Sequence, residues 1–242
     1  MNVLGVIMAR AGSAGLPNKH LLPLLGRPVI QYTFDHARAA RKLTHVAVTS
    51  DSPDVLRLGA AAGFETVVRP PALATADASV QDVMLHAMEQ VESRPGFRAD
   101  AVVVLYGNVP VRPPGAIDRA LKMLCQTHCD SVRSFCPVSK WHPAWMAQLA
   151  GDRVMPLQPG SIHRRQDLPS LFLHDGAVVA VSRASMLKGR ETPEDPHAFF
   201  GEDRRGFPTE VGQTVEIDHL RDLYWAEAVL RSAGEDNIRM AS

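Results

Sequence analysis

Cysteine is scarce, neither sign of charge prevails, and no apolar run is long. The 242 residues contain Cys125, Cys129 and Cys136, too few and odd in number for a disulfide framework. Cys125, His128 and Cys129 are close in sequence and suggest zinc, but three clustered donors without a second pair read better as small residues near a helix end. The 26 basic and 26 acidic residues cancel, so no global field recruits nucleic acid or an anionic membrane, and any anion site must be local. The opening "VLGVIMA" is far too short for a membrane span and lacks the charged start and cleavage pattern of a signal peptide. The cytoplasm is therefore the expected compartment. Nothing in the length prevents a substantial core.

What is present is alternation. Apolar runs suited to buried strands recur at "VLGVIMA", "THVAVTS", "ETVVRP", "DAVVVLY", "DSVRSFCPV" and "GAVVAVS", and helical patterns separate most of them. That order predicts an α/β fold with a mostly parallel sheet covered by helices on both faces. Pro28 opens one helix, with Val29, Ile30, Phe34, Ala37 and Ala40 on one side. Ser52 and Pro53 open a second that stops at Gly63, and Ser79 with Asp82 has capping-box spacing for a third. A fourth runs through "PPGAIDRALKMLCQT" and a last one through "HLRDLYWAEAVLRSAG". Residues 138–172 break the pattern with prolines, Trp141, Trp145, a hairpin turn at Gly151 and Asp152, and "HRRQ". This stretch reads as an insertion in one domain spanning residues 1–242. A polar loop is expected near residues 189–205.

The loop "ARAGSAGLPNK" follows the first strand, and ligands of open parallel sheets gather at the carboxyl ends of strands. Gly12 and Gly15 let backbone amides turn toward an anion, and Arg10 and Lys19 add charge at either end. The loop is not a Walker phosphate loop, because Asn18 and His20 flank Lys19, nor a Gly-x-Gly-x-x-Gly fingerprint. Taken alone it fits a polyphosphate site and an ordinary strand-to-helix connection with two solvated bases equally well.

The blocks "IMARAGSAGLPNKHLLPLLGRPVIQYT", "VTSD", "VVRPPALATADASVQDVMLHAM", "LYGNVPVRPPGAIDRAL", "RRQDLP", "DGAVVAV" and "EIDHLRDLYWAEAVL" resemble, in order and spacing, the acylneuraminate cytidylyltransferase family over nearly the whole chain. The resemblance implies a nucleotide-diphospho-sugar transferase-like fold, a homodimer formed through the insertion, and transfer of CMP from CTP to a sugar acid with release of pyrophosphate. It implies that Arg10 and Lys19 grip the triphosphate, that Ala9, Gly12, Ser13 and Gly15 cradle it, and that Arg69 and Ser79 hold the cytidine. Tyr106, Asn108, Arg165 and Gln166 would face the acceptor, and Asp218 with Glu216 would bind magnesium. By itself, "EID" also reads as an acidic helix start with Asp218 as N-cap.

Several positions depart from the family pattern. Ala14 stands where the loop usually has a lysine, and His20 where it has an asparagine. Tyr106, Gly107, Asn108 and Val109 replace residues that help define the sugar pocket. Asn108 reads either as the uncharged counterpart of a metal-binding aspartate or as a turn asparagine. Trp145 and Leu173 occupy positions where sialic acid enzymes meet the sugar carboxylate with bases, leaving His163, Arg164, Arg165 or His174 to compensate. Trp141 and Trp145 fit burial against a partner subunit better than sugar stacking. Two alternatives to the sugar-acid enzyme follow from these departures: a nucleotidyltransferase with another acceptor or base, and a non-catalytic nucleotide-binding descendant.

Overall fold

A computed structural model of the chain describes residues 1–12, 15–158, 160 and 162–241, with residues 234–241 as backbone only. Its main sheet is built from β1 (Val3–Met8), β4 (His45–Ser50), β5 (Glu65–Val68), β6 (Ala101–Tyr106), β7 (Ser131–Pro137), β10 (Phe172–Ser182) and β11 (Arg204–Pro208). The spatial order is β11-β7-β10-β6-β1-β4-β5. Only β10 runs against its neighbours, antiparallel to both β6 and β7. Two small ribbons complete the strands: β2 (Pro23–Leu24) with β3 (Arg27–Pro28), and β8 (Ala147–Ala150) with β9 (Arg153–Pro156).

Both faces are covered, as the unbroken apolar strands require. On one face Val3, Ile7, Val103 and Leu105 pack with Ile30 and Phe34 of α1 (Val29–Ala39), Val55 of α2 (Pro53–Ala61) and Leu121 of α4 (Ala116–Thr127). On the other, Leu4, Val6, Val102 and Val104 meet Met84 and Met88 of α3 (Val80–Glu92) and Met186 of α5 (Arg183–Glu191). Successive residues of β1 and β6 divide between the two clusters because strand side chains alternate. A third cluster joins Leu16, Leu22 and Leu24 to Val111, Val215 and Ile217, and to Leu223 and Ala226 of α6 (Leu220–Ala241). It ties the loop after β1 to the far end of the chain.

The local signals act as read. The Ser52 hydroxyl accepts from the Val55 amide at the start of α2, and Ser79 accepts from Asp82 N at 3.0 Å to cap α3. The box at α3 is altered, since the Asp82 carboxylate accepts a hydrogen bond from the Ser79 hydroxyl at 2.8 Å. The turn at Gly151, with φ 66°, closes the β8–β9 hairpin, whose residues are all exposed. One expectation fails in part: Arg204 and Arg205, placed at the end of a polar loop near residues 189–205, open an edge strand that runs to Pro208 parallel to β7. Its sequence "RRGFP" hides the strand because only Phe207 is buried, while charge and a proline blunt the open edge. No helix among the described residues is long and apolar enough to cross a membrane.

A buried arginine locks the sheet at the cleft end. Arg112 donates from Nε to the Ala177 carbonyl at 2.5 Å, from Nη2 to the Tyr106 carbonyl at 3.5 Å and from Nη1 to His36 Nδ1 at 2.7 Å. Arginine has no acceptor, so His36 Nδ1 must be the unprotonated nitrogen. Burial, then the Arg112 charge, push His36 down to about 3. The unfolded chain, near 6.5, therefore takes up a proton that the folded chain refuses. This contribution is complete above about pH 6.5 and is lost as pH falls toward 3. His36→Gln should make the unfolding free energy less steep by about 1.4 kcal/mol per pH unit between roughly pH 6 and 4, measured by urea titration. An unchanged slope would show that His36 does not titrate as described.

Candidate active site

The loop after β1 is pinned at its root. Ala9 N donates to the Thr49 carbonyl at 3.2 Å, and Ala11 N to Asp51 Oδ1 at 2.8 Å. At its other end Asn18 adopts a left-handed φ of 52°, and its carbonyl accepts from Leu21 N at 2.8 Å. That turn directs Lys19 toward the chain's last segment. Lys19 Nζ lies 2.6 Å from Asp218 Oδ1, with the lysine side chain 14% exposed and the aspartate 52%. Gly15 packs directly on the same residue: a Cβ there would sit 2.8 Å from the Asp218 carbonyl oxygen. Glycine is required by that approach. Gly12 is exposed with open space around it, and Ser13 lies outside the described residues.

Asn108 anchors the acidic segment. Its carbonyl accepts from Ile217 N at 2.8 Å, and its Nδ2 donates to the Ile217 carbonyl at 3.0 Å, to Glu216 Oε1 at 3.1 Å and toward Asp218 Oδ1 at 3.4 Å. Of the two readings of this residue, the structure gives it a structural part beside the carboxylates. The capping reading of Asp218 is corrected. Asp222 accepts from the Asp218 and His219 amides at 3.1 and 2.7 Å, so the carboxylate of Asp218 is left to face Lys19. Glu216 is pushed above the ordinary carboxylate range by burial first and by Asp218 second, with Asn108 and Lys19 pulling it back.

Ala9, Arg10, Lys19, Arg69, Tyr106, Asn108 and Glu216 line one cleft at the carboxyl ends of β1 and β6, closed on the far wall by the 73–83 segment. Arg69 is buried. Its Nη2 donates to the Thr49 carbonyl at 3.1 Å, while its Nε is buried without a partner. Burial lowers it to about 10, against the attraction of Asp51, so it stays charged at neutral pH. His20 forms the floor. Burial and then Lys19 push it down to about 4, against the Gly107 backbone. Burial and Glu216 raise the Tyr106 phenol to about 12. Sequence reading missed Asp51 and most of the 73–83 wall, although "VVRPPALATADASV" runs straight through that wall.

Other predicted residues stand apart. Ser79 is not among the residues lining the cleft, and its hydroxyl is engaged in the α3 cap. Arg165 and Gln166 occupy an exposed turn in the insertion, where Arg165 Nη2 donates to Ser139 Oγ at 2.9 Å. Arg165 borders a broad apolar concavity of about 900 Å³ instead, alongside Trp141, Phe172, Leu173 and Trp225.

Residues 4–196 match the family model described as cytidylyltransferase. The chain belongs to that family. It is 29% identical over 192 residues to an N-acylneuraminate cytidylyltransferase of Streptococcus agalactiae, covering 78% of this chain and 45% of that protein. A 3-deoxy-manno-octulosonate cytidylyltransferase of Brucella ovis is 35% identical over 122 residues, 50% of this chain and 45% of the relative. The matched stretch thus spans under half the length of these two relatives. Post-translational flagellin modification protein B of Campylobacter coli is 21% identical over 230 residues, 95% of each chain. Among solved structures, a CMP:2-keto-3-deoxy-manno-octonic acid synthetase complexed with CTP superposes with a TM-score of 0.74 at 22% identity, covering 96% of this chain and all of the other. The 4-diphosphocytidyl-2C-methyl-D-erythritol synthase of Anaerococcus prevotii gives 0.64 at 12% identity, covering 95% and 99%. Both share the cytidylyltransferase fold seen here.

The acidic side of this cleft suits a hard cation. Asp218 and Glu216 are oxygen donors close enough for one to raise the other, and a cation between them would relieve that repulsion. No group of three or more His, Cys, Asp or Glu converges on a metal position among the described residues. An ion held by these two carboxylates would complete its shell with phosphate oxygens and water, as magnesium commonly does. Asn108→Ala would strip the donor from both Glu216 and the Ile217 carbonyl. We expect it to lower unfolding free energy by about 1–3 kcal/mol in urea titrations; a loss of a few tenths would mean that the amide does not bind this segment to β6.

Proposed function

We propose that the chain transfers CMP from CTP to a sugar acid, releasing pyrophosphate, with magnesium held by Asp218 and Glu216. The observation that carries this reading is the meeting of Arg10, Lys19 and Arg69 with Glu216 and Asp218 around one cleft. Cations on the strand-end side suit the triphosphate, and carboxylates on the other suit its metal. An acceptor hydroxyl oxygen attacks the α-phosphorus while the bond to the β-phosphate oxygen breaks, pyrophosphate leaving with the electron pair. Bound magnesium supplies charge neutralisation on the phosphate oxygens. Arg10 and Lys19 hold the leaving group, and Arg69 with the 73–83 wall orients the nucleoside. No single side chain stands out as a base, so the proton of the attacking hydroxyl passes to solvent. Positioning and charge stabilisation account for the rate.

The insertion supports a homodimer. Trp141, Leu149 and Val154 of the insertion, Leu173 at the start of β10, and Tyr224 and Trp225 of α6 are all exposed, and large apolar side chains left in water in this number suit burial against a second copy. Leu149→Lys with Val154→Glu should convert a dimer to a monomer in sedimentation velocity; a wild-type monomer at micromolar concentration would refute the assignment. The same reading keeps the cytoplasm as the expected location and no nucleic acid or membrane as partner.

Pyrophosphate release measured across CTP, GTP, UTP and ATP with several sugar acids tests the activity. CTP with at least one acid should turn over, and silence with every acid would contradict the reading. Arg10→Ala and Asp218→Ala should each slow turnover by on the order of a hundredfold, the loss expected for one charge-assisted contact to the reacting phosphates.

A further inference from the structure

Two arginines lie on the sheet face that carries Tyr106 into the cleft, outside the residues that line it, and have no carboxylate within ion-pair distance among the described residues. Val179 pairs with both Arg133 of β7 and Val104 of β6, so Arg133 shares the sheet face of Val104 and Tyr106, the face that opens into the cleft. Its guanidinium lies 4.3 Å from the Phe200 ring centroid and 5.2 Å from that of Phe135. Arg204 approaches the same Phe200 ring at 5.8 Å and donates from Nε to the Gly201 carbonyl at 2.6 Å. Among the described residues neither forms an ion pair, although ion pairs are plentiful elsewhere. Arg133 is half-buried, and burial followed by the Arg204 charge lowers its pKa. Next to it, His174 Nδ1 meets the Ser134 carbonyl at 3.1 Å while its Nε2 is buried without a partner.

A half-buried cation beside a like charge is unfavourable unless something supplies the anion. Two other cations of the insertion are engaged elsewhere: Lys140 lies over the Trp141 ring at 4.9 Å, and Arg165 is bonded to Ser139. The Arg133 guanidinium sits over two aromatic rings with no hydrogen-bond partner among the described residues, which leaves its N–H fork for a planar bidentate acceptor. Gly206 makes the platform possible, because a Cβ there would lie 2.5 Å from the Phe135 ring. We propose that Arg133, supported by Arg204, is the acceptor anchor of this enzyme and binds the carboxylate of the sugar acid. The assignment rests on the cytidylyltransferase reading above and names the residue that makes the acceptor an acid.

The test compares wild type, Arg133→Met, Arg133→Lys and Arg204→Met, with N-acetylneuraminate and 3-deoxy-manno-octulosonate as acceptors. Arg133→Met should raise the acceptor KM by roughly 30-fold or more with the KM for CTP within about twofold, the pattern of a lost contact to one substrate. Arg133→Lys should recover part of the loss, and Arg204→Met should show a smaller one. An acceptor KM unchanged in Arg133→Met overturns the proposal. Thermal shifts separate this failure from that of the broader reading. Stabilisation by CTP should survive in every variant, whereas stabilisation by millimolar sugar acid in the presence of CTP should appear in wild type and vanish in Arg133→Met. A CTP shift with no acid shift in wild type overturns the anchor and leaves nucleotide binding standing; absence of the CTP shift removes both.

Discussion

Everything at the cleft depends on Asn108 holding segment 215–218 against the end of β6. Its backbone carbonyl and side-chain amide both engage Ile217, and its Nδ2 reaches Glu216. Val215 N extends the contact by donating to the Val111 carbonyl at 3.2 Å. The apolar cluster of Leu16, Leu24, Val111, Ile217 and Ala226 then closes over the same junction. Two segments separated by most of the chain are thereby fixed side by side. A lysine–aspartate pair whose carboxylate stands half in solvent contributes little by itself, so the 2.6 Å contact between Lys19 and Asp218 is a result of that packing and not its cause.

The cleft is built under electrostatic tension. Among the described residues Arg69 carries a buried Nε without a partner, His20 is kept neutral by burial and by Lys19, Arg69 and Arg10, and Glu216 is raised by burial and by its carboxylate neighbour. Each arrangement costs stability in the empty protein. A metal-bound triphosphate would satisfy both sides at once, its phosphates meeting Arg10, Lys19 and Arg69 and its metal meeting Glu216 and Asp218. The apolar cores on the two sheet faces supply the stability that such a site consumes. Arg112, buried without a carboxylate contact, belongs to the framework: it fixes β6 and β10 to each other where Tyr106 enters the cleft.

Much of the fold could be read from the sequence because buried parallel strands leave long apolar runs. All six strands inferred that way are present in the main sheet. Residues 204–208 escaped because an edge strand with a single buried side chain has no apolar alternation to detect. For the loop after β1, two glycines and two bases also describe an ordinary turn, and only family resemblance tips the reading toward a ligand site. Arg133 was invisible for a different reason. A lone arginine in "DSVRSFC" looks like a solvent-facing strand residue, and only strand register places it on the cleft face beside Phe135 and Phe200. Asn108 likewise acquires meaning only when residues 216–218 return to it.

The claim at the centre is that the loop and the acidic segment together enclose a metal-charged triphosphate. Calorimetric titration of CTP, with and without magnesium, into wild type and Asp218→Asn measures this directly. Magnesium should tighten CTP binding to the wild-type chain, and the substitution should remove most of that gain while CTP alone still binds. An equal magnesium dependence in both proteins would contradict the account, because Asp218 would then have no part in holding the metal.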